Sequence, residues 1–194
     1  MSHFFAPERH VTPDFIIRSY QLGDARLLQQ TANASYDHLH TFLRWPKPDS
    51  TVEDQESRIR VMRSKYLTNQ DFEFGVFSSD DQRLFGGAAF LLRGQPVDEG
   101  TTHIGMWIAA SEAGKGLGTR VLQQLLHWGF TEWTWQRIEW RCDTRNLASA
   151  AVARKAGMTL EGTLRQDVPL PDGTRRDTYV FAMLRDEYNR SQSQ

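Results

Sequence analysis

Gly114-Lys115-Gly116-Leu117-Gly118-Thr119 lies between a stretch that reads as a strand, Thr102-His103-Ile104-Gly105-Met106-Trp107-Ile108, and a run of Leu117, Val121, Leu122, Leu125, Leu126 and Trp128 at helical spacing to about Phe130. Three alternating glycines at a strand-to-helix junction let backbone N–H groups approach a ligand closely. The unpaired donors and the positive end of the dipole at a helix start favour phosphate. A phosphorylated ligand is the physical reading, and a turn that merely tolerates glycine is its competitor. The segment is not a P-loop, since no Gly-Lys-Ser/Thr follows four residues after a first glycine. Its Gly-x-Gly-x-Gly spacing also differs from the dinucleotide pattern Gly-x-Gly-x-x-Gly, so ATPase and dehydrogenase readings both weaken.

Upstream, Phe15–Tyr20 has the content of a short strand, and Gly23-Asp24 opens a helix carrying Leu27, Leu28, Thr31, Ala32 and Ser35. Trp45-Pro46-Lys47-Pro48 breaks that helix, and Ser50-Thr51-Val52-Glu53 reads as a capping box for a second one to about Leu67. The pair is expected to form an arm before the main sheet. Phe72–Phe77 and Leu84–Leu92 flank Ser79-Asp80-Asp81, an antiparallel hairpin. Downstream, Ile138, Trp140 and Cys142 alternate with Glu139, Arg141 and Asp143, a strand with one face buried. Asn146 is a good N-cap for a helix through Val152 to Lys155, which Gly157 stops. Two strands, Thr159–Arg165 and Arg176–Leu184, are joined across Pro171-Asp172-Gly173. The predicted order is β, α, α, β, β, β, α, β, α, β, β, followed by a polar tail at Ser191–Gln194.

A chain of 194 residues with 39% hydrophobic and 24% charged residues is expected to be one folded domain over 1–194, its core at about 14–188 between short flexible tails. The 23 Lys+Arg against 24 Asp+Glu leave no bulk field to recommend nucleic acid or an acidic membrane as partner. A single cysteine, Cys142, excludes an internal disulfide framework and a cysteine-based zinc cluster, and no metal is expected. The N-terminus lacks the apolar run of a signal peptide, and no stretch approaches the roughly 18 apolar residues of a membrane span. A cytoplasmic protein is the expectation.

The stretch Ile104–Ile108 with Gly114–Thr119 resembles the acetyl-CoA pyrophosphate loop of the GCN5-related N-acetyltransferases (GNAT). Asp143-Thr144-Arg145-Asn146-Leu147-Ala148-Ser149-Ala150-Ala151-Val152-Ala153-Arg154-Lys155-Ala156-Gly157-Met158, continuing to Arg165, resembles the second block of the RimJ/RimL-like branch. Two such blocks at this separation are far more specific than either alone. The resemblance implies an α/β GNAT fold, with a single central mixed, mostly antiparallel sheet flanked by helices. It implies acetyl-CoA as cosubstrate and a primary amine as acceptor, either a protein N-terminus or a small molecule, and relatives often pair as a homodimer. It further implies that the amides of Ala113, Gly114, Lys115, Gly116, Leu117, Gly118 and Thr119 hold the pyrophosphate, that Ile108 and Ala109 pair with the pantetheine arm, and that Asn146 bonds the cofactor near its thioester. Ser149 matches a serine proposed to protonate the leaving thiolate, and Trp45 lies in the segment that walls the acceptor site in relatives. Two departures stand out. Ala113 replaces the usual Gln or Arg, and Val168 lies where the ribosomal-protein enzyme of the branch has a glutamate.

His103 occupies a place where the family often carries a glutamate, and an imidazole of ordinary pKa about 6.5 can accept a proton near neutral pH. A histidine at a strand end that packs or hydrogen-bonds locally is the other reading, and an amine that arrives neutral is the third. Ser149 at the third helical position is unremarkable on helix grounds, and Cys142 on the apolar strand face reads as an inert core thiol. The expected activity is acetyl transfer by direct attack of the amine in a ternary complex, and the rival is a CoA-binding sensor or scaffold without turnover.

Overall fold

The computed structural model describes residues 4–170 and 172–193. The strands are β1 (Arg9–Val11), β2 (Phe15–Ser19), β3 (Asp71–Ser78), β4 (Leu84–Leu91), β5 (Thr101–Ile108), β6 (Arg137–Asp143), β7 (Thr159–Pro169) and β8 (Arg175–Leu184). The helices are α1 (Ala25–Ala34), α2 (Tyr36–Leu39), α3 (Val52–Leu67), α4 (Leu117–Thr131), α5 (Leu147–Lys155) and α6 (Arg185–Gln192). The eight strands form one mixed sheet in the order β1-β2-β3-β4-β5-β6-β8-β7, antiparallel from β1 to β4 and from β6 through β8 to β7, and parallel between β5 and β6. The fold is α/β, as expected. Among the described residues no helix is long and apolar enough to cross a membrane.

Chain contacts divide into two compact units, one of residues up to Val97 with Gly105–Leu117, the other of Asp98–Ile104 with Gly118 onward. In the first, β3 pairs with β2 and β4, and Asp81 takes φ +61° in the turn that closes the β3–β4 hairpin. Phe72, Phe74, Val76, Phe77 and Phe90 are fully buried there. Ile59 and Met62 of α3 join Ala25 and Leu28 of α1 with Tyr20, Phe77 and Leu84 in one cluster, so the two helices are a layer on the sheet rather than an arm standing before it. The α3 cap also falls one residue later than the sequence suggested. Thr51 Oγ1 accepts from the Asp54 N–H at 3.1 Å, and Asp54 Oδ2 accepts from the Thr51 N–H at 3.0 Å. Ser50 is buried instead: its hydroxyl donates to Asn33 Oδ1 at 2.5 Å, tying the segment before α3 back to α1.

In the second unit β8 lies between β6 and β7, with Trp140 opposite Phe181 and Thr163 opposite Tyr179. Trp128, Trp133, Trp135 and Ile138 fill its core. Sequence patterning passed over β1, α2 and α6, ended β7 short at Arg165 and began β8 one residue late. The predicted tail begins inside α6, which is ordered through Gln192, and Pro171 of the predicted turn lies outside the described residues. Amphipathicity could not find α6, because what holds it is polar. The Arg185 guanidinium donates to the carbonyls of Trp135 at 2.9 Å, Trp133 at 3.0 Å and Phe130 in the last turn of α4. Tyr188, on the next turn, hydrogen-bonds His127 Nδ1 at 2.7 Å.

Candidate active site

The glycine segment follows a pinned strand end. The Ala109 N–H donates to the Phe85 carbonyl at 2.8 Å, its own carbonyl accepts from the Glu112 N–H at 2.9 Å, and the Ala110 N–H donates to Ser35 Oγ at 3.1 Å. Both backbone groups of Ala109 are therefore engaged within the chain, which leaves Ile108 as the nearer pairing position on β5. Gly114 and Gly116 take φ +75° and +77°, the left-handed region where a Cβ is strained, so glycine is demanded twice by backbone conformation. Gly118 lies in the first turn of α4, where N–H groups have no partner inside the helix. Glu112 receives Arg83 at 2.9 Å and Lys115 at 3.3 Å, bracing the loop from below while the Lys115 side chain stays exposed.

The β5–β6 ladder runs from Thr101↔Arg137 to Ile104↔Trp140 and ends there, and β5 continues to Ile108. In this register His103 stands beside Glu139. Both are buried, with His103 Nδ1 3.1 Å from Glu139 Oε2. Glu139 also accepts two hydrogen bonds from Arg137 and two from Arg141, and Arg137 continues to Glu161 at 2.6 Å. Burial pushes the Glu139 carboxyl up, but the Arg137 hydrogen bonds, the His103 charge and Arg141 together hold it below the ordinary carboxylate range.

Asp143 closes β6 with its carboxylate nearly sealed from solvent and held by the Arg145 backbone N–H and guanidinium at 2.7–3.0 Å. This turn presents Asn146, whose Oδ1 accepts from the Ser149 N–H at 3.0 Å as the cap of α5, leaving its NH₂ for other partners. Ser149 Oγ accepts from Trp140 Nε1 at 3.1 Å and hydrogen-bonds Cys142, whose thiol is pushed up by burial. An indole N–H only donates, so Trp140 leaves the serine its own proton, for which the Cys142 sulfur is a competing acceptor. The sequence reading singled out Asn146 and Ser149 and placed Trp140 only in its strand; its bond to Ser149, nine residues on, follows from strand-to-helix geometry.

Hydrogen bonds from Arg145 outweigh burial and hold the Asp143 carboxyl below its ordinary range. Its folded pKa thus lies below the unfolded value of about 3.9, so its stabilisation is present above that pH and lost as pH falls through the folded pKa. Glu139 acts in the same sense from its unfolded value of about 4.3. Asp143→Asn is accordingly expected to flatten the fall of the urea midpoint with pH below about 4.5. A variant slope equal to that of the wild type would refute this.

In the first unit Trp45 meets Trp107 edge-on with centroids 5.5 Å apart, and the Arg58 guanidinium lies over the Trp45 ring at 3.9 Å. A Cβ at Gly87 would overlap the Trp107 indole and lie 2.9 Å from the Tyr20 hydroxyl, so this glycine makes room for the two aromatics. Trp45 is thus part of an aromatic wall that includes Trp107, which the sequence reading had placed only in a strand.

Residues 14–159 match the acetyltransferase (GNAT) domain family. The chain is 32% identical over 136 residues to the protein named probable N-acetyltransferase YjcK of Bacillus subtilis strain 168, covering 69% of this chain and 73% of that protein. It is 29% identical over 148 residues to the ribosomal-protein-serine acetyltransferase of Escherichia coli K12, covering 76% and 80%. The solved structure of RimL, a ribosomal-protein alpha-N acetyltransferase in complex with coenzyme A, superposes with TM-score 0.82 at 23% identity over 93% of this chain and 99% of that one. A strand, a twice left-handed glycine loop and a helix start, inside a match that spans most of the chain, place this protein in the GNAT family of N-acetyltransferases.

Proposed function

We propose that this protein transfers the acetyl group of acetyl-CoA to a primary amine by direct attack within a ternary complex, as a single domain of the RimJ/RimL-like branch. The observation that carries the cosubstrate is the loop in which Gly114 and Gly116 turn the backbone left-handed immediately before α4. RimL, with the same fold, was solved with coenzyme A bound. In this reading the amides of residues 113–119 hold the pyrophosphate, with Ala113 supplying backbone only. Ile108 pairs with the pantetheine arm, the Asn146 NH₂ reaches the thioester end, and Ser149 gives its proton to the departing thiolate. Trp45 walls the acceptor. His103 Nδ1 lies 3.1 Å from Glu139 Oε2 among the arginines that hold that carboxylate, which supports the packing reading of His103.

Acetyl-CoA at about 100 times its Kd is expected to add about 2.7 kcal/mol to stability if it binds only the folded state. Gly118→Asp should abolish this gain by setting a carboxylate against the pyrophosphate, while the helix itself gains from an acid in its first turn. Differential scanning of both proteins with and without acetyl-CoA is the test. A folded Gly118→Asp variant that keeps the full shift would overturn the loop assignment.

A further inference from the structure

Ser35 is buried at the joint between α1 and α2, and its polar groups serve three different elements. Its N–H closes α1 on the Ala32 carbonyl at 3.1 Å, and its carbonyl opens α2 by accepting from His38 at 3.1 Å and Leu39 at 3.0 Å. Its hydroxyl oxygen is left for a third partner, the Ala110 N–H, which donates to it at 3.1 Å across 75 residues of chain. Ala110 opens the tight turn Ala110–Glu112, which leads from the end of β5 to the left-handed glycines Gly114 and Gly116. Beyond Ser35 the chain is one short body as far as Leu43. The His40 N–H donates to the Tyr36 carbonyl at 2.9 Å, and those of Phe42 and Leu43 donate to the Leu39 carbonyl at 3.2 and 2.9 Å. Trp45 then rests edge-on against Trp107. Segment 36–45 is thus fastened at both ends to one stretch, 107–110, and that stretch runs into the glycine loop. Moving one without the other breaks a hydrogen bond or an aromatic contact, so the two move together.

We propose that Ser35 is a positioning residue: through Ala110 it passes occupancy of the glycine loop by coenzyme A to segment 36–45, and so to Trp45. This deepens the acetyltransferase reading above and rests on it. In that reading the ligand touches the chain on both sides of Ala110, at Ile108 and at the glycines, which fixes the backbone between them. Ser35, bonded to that backbone, then loses freedom with it. Segment 36–45 is ordered when the cosubstrate binds, so a second molecule arriving at Trp45 meets a wall already set. The two affinities are thereby coupled, with the same factor in both directions. The helices themselves do not need the hydroxyl, since the bonds that end α1 and begin α2 use only the Ser35 backbone. Its removal therefore cuts the link and leaves both helices their own hydrogen bonds.

Hydrogen exchange at the amides of His38, Leu39, His40, Phe42 and Leu43, with and without saturating coenzyme A, is the test. In the wild type coenzyme A should slow their exchange about tenfold. In Ser35→Ala, at saturation, the ratio of the two rates should fall to about one, and Ser35→Thr, which keeps an acceptor oxygen, should restore it. Ala110→Pro removes the donor instead. Ala109 already has the backbone that precedes a proline well, φ −57° and ψ 145°, and the first position of a helical turn accepts proline, so the N–H is deleted without strain. This variant should abolish the slowing equally, and the double variant should be no worse than either single one. Loss of a merely structural contact would quicken exchange with and without ligand alike and leave the ratio as it was. Calorimetry establishes saturation for each protein, and unfolding midpoints near that of the wild type establish that the variants fold. Slowing retained in Ser35→Ala or in Ala110→Pro overturns the proposal, as does a wild-type ratio of one with coenzyme A bound, and both results leave acetyl transfer standing. If calorimetry shows no coenzyme A binding to the wild type, the cosubstrate reading falls and this proposal with it.

Discussion

Ser149→Ala is expected to lower kcat by about 10²-fold or more while the Kd for acetyl-CoA stays within about twofold. Protonating a thiolate matters only as the C–S bond breaks, so the hydroxyl contributes in the transition state and little in the bound ground state. In the proposed role the hydroxyl is oriented by one neighbour. Trp140 Nε1 donates to Ser149 Oγ at 3.1 Å, occupying one lone pair and stabilising the negative charge left on oxygen when the proton departs. The same substitution keeps the α5 cap, which uses the Ser149 backbone N–H and not its hydroxyl. Stopped-flow thiol release with direct titration of acetyl-CoA separates the two constants. Equal losses in both would make Ser149 a cofactor contact, and no loss in either would return it to the ordinary position it occupies on helix grounds.

Arg185→Ala is expected to cost about 3 kcal/mol, the sum of lost charge-assisted hydrogen bonds partly replaced by water, and to lower Tm by roughly 6–12 °C for a chain of this size. The guanidinium serves three carbonyls, those of Phe130, Trp133 and Trp135, from a half-buried position, and its removal takes that donor from all three at once. Arg185→Lys should recover only part of the loss, because a single ammonium cannot match the three directions of the fork. Thermal unfolding of the three proteins measures this, and an Arg185→Ala midpoint within about 2 °C of wild type would sink it.

Local signals carried far in this chain. The glycine loop, the Asn146 cap and the β3–β4 hairpin were legible because each depends on backbone conformation within a few residues, where Gly, Asn and turn residues act directly. The pairing of His103 with Glu139 was not, since it follows from the register of two parallel strands joined across α4. Trp45 could be suspected from its prolines, but nothing in the sequence marks Arg58, whose guanidinium lies over that indole. Arg185 reads as an ordinary charge after a strand, and only the arrangement of three distant carbonyls gives it a task. The displaced cap of α3 shows the limit of local rules as well, because Thr51/Asp54 and Ser50/Glu53 both satisfy the pattern and burial of Ser50 against Asn33 chooses between them.

The strand order β6-β8-β7 also dictates a timetable. During synthesis β7 emerges before β8, yet every ladder bond it makes is to β8, and β6 likewise gains its antiparallel neighbour only then. Until Leu184 has left the ribosome, two of the strands in this unit expose unpaired edges, one of them the eleven-residue β7. Nascent chains halted between Pro169 and Leu184 should therefore be the most protease-sensitive and chaperone-dependent species along the synthesis of this protein. Arg185, which follows directly on β8, makes its three hydrogen bonds just as that exposure ends.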